Sequence, residues 1–220
     1  MIRSITAAAV IVAAQTAAHA GSLQVFTDRA AFDAAASAVT GAFAFTDRFE
    51  TYPADDSDFF STLFANGFDV IGEDIDNDFL DPLTIQDAPA NGLFPTDGDQ
   101  FLSVSSFGRT EVLLGFELES FAVGFDLTDF GDFANQTATI GLLLSDGRTV
   151  ELLSGQGTDG NSAFVGIIDL DSPITGVTIR NNFSGDQYGI DNVSIYVPTP
   201  DAVALLGAAG IAGVRCRRRR

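Results

Sequence analysis

From Phe43 to Val197 apolar and polar residues alternate with a period of two, in short runs interrupted by Gly, Asn, Asp and Pro. Such alternation sends successive side chains to opposite faces of a strand. It predicts ten strands: Phe43 to Phe49, Phe68 to Ile71, Phe101 to Val104, Val112 to Phe116, Phe121 to Leu127, Thr137 to Leu144, Thr149 to Leu153, Ala163 to Ile168, Ile174 to Arg180 and Tyr188 to Val197. Ser145-Asp146-Gly147-Arg148 places Asp-Gly at the centre of a tight turn and predicts a hairpin over Ile140 to Leu153. A single helix is expected, in the Ala-rich stretch Asp28 to Val39, with Thr27 as its cap and Asp28 in its first turn. Many short strands at regular spacing predict an all-β fold, an antiparallel β-sandwich of jelly-roll-like type.

The two ends follow a different pattern. Arg3, the apolar Ile5 to Ala14 and the small residues Ala18-His19-Ala20 have the order of a secretory signal peptide, residues 1–20, with Ala18 and Ala20 at the cleavage site. At the other end Val197-Pro198-Thr199-Pro200 leads into an uncharged, mostly apolar segment, 202–214, closed by Arg215, Arg217, Arg218, Arg219 and Arg220. Arginines directly behind an apolar run act as a stop-transfer signal, because they stay on the cytoplasmic side while the chain ahead of them crosses. Thirteen helical residues reach about 20 Å against a hydrocarbon core of about 30 Å, which suits a transient transmembrane helix better than a permanent one. The body, residues 21–196, is then one domain held outside.

Segment 197–220 resembles the PEP-CTERM sorting tail of exported bacterial proteins: a Pro-containing motif, a hydrophobic helix and a terminal Arg cluster. Thr199 stands where that motif has Glu. The resemblance implies an exosortase-type processing enzyme as partner, passage through the inner membrane, and delivery to the outer envelope, cell surface or extracellular matrix. Phe26 to Asp33, Phe49-Glu50, the Ser145 to Thr149 turn and Tyr188 to Ile195 also look like the lectin-like jelly-roll bodies of many such proteins.

Charge narrows the partners. The body carries five basic residues, all Arg, against 29 acidic ones, a net charge of −24. A surface of that sign repels nucleic acid and anionic lipid and attracts cations. Asp outnumbers Glu by 24 to 6, a balance that fits either a saline habitat or Ca²⁺ binding by short carboxylate stems. The single His19 lies in the signal segment and the single Cys216 in the Arg block. The exported body is therefore expected to lack disulfides, thiol nucleophiles, Ser-His-Asp triads and His-ligated zinc. A carboxylate pair acting on glycosidic bonds is the surviving catalytic alternative.

Two places are candidates for Ca²⁺. In jelly-roll carbohydrate-binding modules a structural Ca²⁺ joins the first and last sandwich strands; by that resemblance Glu50 and Asp191 are the candidate ligands, with Asn192 as a further oxygen donor. The alternative is a bulge at Asp191-Asn192 and a solvated Glu50. Asp74, Asp76 and Asp78 match the first half of a calcium loop, but Phe79 replaces the required Gly and Ile85 the bidentate Glu, so an EF-hand is excluded and a looser acidic Ca²⁺ loop is left, with a solvated loop as the alternative. Asp97-Gly98-Asp99 reads as a turn. The sequence thus predicts a non-enzymatic structural or adhesive protein whose partner is extracellular polysaccharide, with Ca²⁺-dependent carbohydrate binding as the alternative and a glycosidase as the lesser one.

Overall fold

A computed structural model describes residues 23–40, 44–54, 59–65, 67–76, 81–87, 89, 93–105, 109–130, 138–144, 149–155, 162–181 and 187–197. The signal segment, Pro198 to Arg220, the turn at Ser145 to Arg148 and Asp78 all lie outside the described residues. Among those described, thirteen strands and one helix follow in the order β1 (Gln24–Phe26), α1 (Arg29–Thr40), β2 (Ala44–Asp47), β3 (Thr62–Phe64), β4 (Phe68–Asp74), β5 (Leu83–Gln86), β6 (Phe101–Val104), β7 (Thr110–Ser120), β8 (Ala122–Thr128), β9 (Ala138–Leu144), β10 (Thr149–Gly155), β11 (Ser162–Ile168), β12 (Ile174–Asn181) and β13 (Tyr188–Tyr196).

They form an antiparallel two-sheet sandwich. The first sheet runs β1-β11-β8-β13-β6-β5, with β2 pairing β13 beyond the end of β6; the second runs β10-β9-β12-β7-β4-β3. All ten predicted strands are present. The three others are short: β1 and β3 have three residues each and β5 has four, too few to set a period.

Inward residues of both sheets make the main core, including Phe68, Val70, Leu114, Phe125, Val177 and Ile190, all fully buried. A second, smaller core lies on the outer face of the first sheet, under α1. There Phe32 meets Phe26, Phe164 and Tyr196 with ring centroids 5.4 to 5.8 Å apart. The helix can approach so closely because Gly124 and Gly166 lie beneath it: a Cβ on either would fall within 2.7 Å of the Phe32 ring. The helix begins one residue later than expected. Asp28, not Thr27, is the cap, its Oδ1 accepting the Ala31 N–H at 2.8 Å. The shift leaves no acidic residue in the first helical turn.

Candidate functional site

β2 and β13 are neighbours, as expected for the first and last sandwich strands, and they bring the Glu50 and Asp191 carboxylates to a common loop, 96–100. Asp191 is buried, 1 % exposed. Its Oδ2 accepts from the Thr96 amide at 2.6 Å, the Thr96 hydroxyl at 2.9 Å and the Asp97 amide at 3.0 Å, while Oδ1 accepts from the Asn192 amide at 2.6 Å. Glu50 Oε1 takes the amides of Asp99 and Gln100 at 2.7 and 2.9 Å. Between the two clamps Gly98 has φ of +84°, and a Cβ there would lie 2.1 Å from Glu50 Oε1. The Asp97 to Asp99 turn is therefore a strap pinned at both ends.

Asn192 is the extra residue of a β-bulge: β13 pairs β8 as Asp191↔Asp126 and resumes as Ser194↔Gly124. Its φ is +51°, in the left-handed region that Asn tolerates better than most side chains. The bulge directs the Asn192 carbonyl at Arg29, which donates to it at 2.9 Å, to Asp126 Oδ2 at 3.0 Å and to the Ser194 hydroxyl at 3.3 Å. The guanidinium also lies 4.5 Å above the Phe164 ring. Thr96 Oγ1 sits 2.8 Å from Asp126 Oδ2 as well as 2.9 Å from Asp191, and a hydroxyl has one proton to give, so the two carboxylates compete for it. Burial pushes the Asp191 carboxyl above the ordinary carboxylate range, against the opposing pull of the Asp97 amide and then the Thr96 and Asn192 donors.

Glu50 and Asp191 thus spend acceptor capacity on backbone amides. Among the described residues no three His, Cys, Asp or Glu side chains form a group able to hold a metal. The second candidate place divides likewise. Asp74 is the buried last residue of β4 and its Oδ1 accepts the Asp76 amide; Asp76 forms an ion pair with Arg109 at 2.8 Å, and its two oxygens also accept the Arg109 Nε and amide N–H. The Arg109 side chain and amide hold the Asp76 carboxyl below its usual range. Beside the strap, Thr46, Asp47, Arg48, Glu50 and Thr51 line an open depression of about 430 Å³. Asp47 there is engaged locally, accepting from the Phe49 amide and the Tyr52 hydroxyl, both at 2.8 Å.

The outer face of the second sheet is different in kind. Cross-strand register places Phe64, Asp69, Gly115 and Gly176 in one row, Thr62, Ile71, Leu113 and Thr178 in the next, and Glu73, Glu111 and Arg180 in the third. Phe64 is 75 % exposed and Ile71 44 %. Arg180 is ion-paired to Glu111. An apolar strip with hydroxyls and carboxylates on either side is a surface able to stack on the C–H face of a ring and bond to its hydroxyls. Sequence reasoning missed it, although Ile71 stands at an outward position of Phe68 to Asp74, where alternation calls for a polar residue.

No family model matches the chain, and no curated protein matches it. Several solved structures align with the chain at low identity. A mutant of CBM29-2, a family 29 carbohydrate-binding module, aligns with a TM-score of 0.42 at 14% identity, over 73% of this chain and 96% of that one. TmCBM61, solved in complex with β-1,4-galactotriose, aligns at 0.40 and 17%, over 69% and 99%. The K2 cleaved adhesin domain of Lys-gingipain aligns at 0.45 and 12%, over 69% and 97%. No helix among the described residues is long and apolar enough to cross a membrane.

Proposed function

We propose that this chain is an exported, non-catalytic adhesive β-sandwich that engages extracellular polysaccharide through the outer face of its second sheet. The observation that carries this reading is the contrast between the two sheets. The outer face of the first is covered by α1 and held by the strap, whereas the second presents Phe64, Ile71 and Thr62 to solvent. Phe64 and Ile71 are diagonal neighbours on adjacent strands, and a contiguous exposed apolar patch rimmed by polar residues marks a contact surface. In this reading the signal segment exports the body, an exosortase-type enzyme processes the chain near Pro198 to Pro200, and the Arg block holds the tail at the inner membrane until then. Calcium-dependent binding through Glu50, Asp191 and Asn192 is the less favoured form, because those carboxylates already serve loop amides.

The test is a glycan array probed with the full-length chain, with Ca²⁺ and with EDTA, together with a reducing-sugar assay on each bound glycan. The reading expects binding that survives EDTA and releases no sugar. Binding abolished by EDTA would favour the calcium-dependent form. Turnover lost on changing one carboxylate to its amide would make the protein a glycosidase, and an empty array would remove the polysaccharide reading.

A further inference from the structure

The charge and relief of the second sheet's outer face bear on which polysaccharide it takes; the inference rests on the reading just given. The carboxylates of Asp69, Glu73 and Glu111 share this face with the Arg180 guanidinium, already bonded to Glu111. A uronate or sulfated chain would bring its charges to a surface of the same sign, on a body of net charge −24. A neutral chain avoids that repulsion. Its hydroxyls donate to carboxylate oxygens, and hydrogen bonds to ionised acceptors are the stronger kind.

The relief supplies a place. At Gly115 an added Cβ would meet nothing nearer than 3.9 Å, so the position beside Asp69 is open down to the backbone. At Gly176 the comparable space is taken, because the Leu114 carbonyl oxygen lies 2.9 Å and the Leu113 methyl 3.3 Å from where a Cβ would be. Among the described residues this face therefore has a notch floored by Gly115, backed by Leu113 and Ile71, and in line with Asp69 and Phe64 across three strands. Strands lie about 4.8 Å apart, so Phe64 and the notch are about 10 Å apart. That is a span for consecutive sugar units running across the strands rather than along them.

We infer that the row Phe64, Asp69 and Gly115 is a binding site for a neutral, uncharged glycan chain laid across the second sheet, with Phe64 stacking on one ring, Asp69 accepting hydroxyl protons and Gly115 admitting a ring to the backbone. The experiment is affinity electrophoresis of the full-length chain in gels containing a neutral β-glucan, a neutral galactomannan or polygalacturonate, each with EDTA. At least one neutral gel should retard the protein and polygalacturonate should not. Phe64→Ala and Gly115→Val should each weaken retardation about tenfold without moving the thermal midpoint, since Phe64 is exposed and the Gly115 site has room for a side chain. Val25→Ala, exposed on the first sheet's edge, should change nothing.

Retardation by a neutral glycan that both variants retain overturns this site and leaves the polysaccharide reading standing. Retardation by polygalacturonate alone overturns the neutral class while adhesion survives. No retardation in any gel removes both. If Gly115→Val melts early, Phe64→Ala alone decides the site.

Discussion

Single residues on this body are set by what surrounds their polar atoms. Tyr196 illustrates it: its ring packs edge-on against Phe32, and its hydroxyl donates to Asp33 at 2.8 Å. Burial first, then the Asp33 carboxylate, push the phenol up to about 12. A proton held more tightly in the folded chain than in the unfolded one adds stability that is complete below about pH 10 and is lost as pH climbs to about 12. An alkaline titration followed by ultraviolet absorbance should show a late phenol that is absent in Tyr196→Phe. Arg29 is the other residue on which much turns. Changing it to Met leaves Asp126 and the Asn192 carbonyl without their cation, and urea denaturation should show a loss of about 3 kcal/mol. Exposed Arg48 with Asp97 makes a contrast: its replacement should move stability by less than about 1 kcal/mol.

At the scale of elements, the helix and the strap share the outer face of the first sheet. Phe32 is wholly buried beneath α1, so Phe32→Ala should cost about 3–5 kcal/mol in chemical denaturation. The sandwich was legible in the sequence because its longer strands alternate apolar and polar residues, and each of the ten segments read that way overlaps one of the thirteen strands. β3 and β5 escaped because three and four residues are too few to set a period, even though Leu83-Thr84-Ile85-Gln86 of β5 alternates. Glu50, just beyond β2, and Asp191, within β13, were legible as carboxylates brought to one end of neighbouring strands by topology. Their occupation by the amides of Thr96, Asp97, Asp99 and Gln100 was not, because it depends on how a glycine-centred turn folds back over the sheet. The Phe64 face needed cross-strand register, which no single strand carries.

The whole molecule is acidic and has no disulfide in its body, so its stability rests on packing and on the screening of self-repulsion. A thermal melt of the full-length chain should rise by the same amount in Ca²⁺ and in Mg²⁺ at equal ionic strength, and rise further with NaCl. A specific ion at about a hundred times its dissociation constant would instead add about 2.7 kcal/mol for Ca²⁺ alone, and that result would restore Glu50, Asp191 and Asn192 as ligands. Delivery outside the cell and retention by a neutral polysaccharide are the two halves of one claim. The most direct measurement treats intact producing cells with external protease and, in parallel, with excess soluble neutral glycan, following the body and the Arg tail with separate antibodies. The account predicts that the body is cut by the protease, is released by the glycan, and no longer carries the tail. An uncut, full-length chain that neither treatment touches would contradict it.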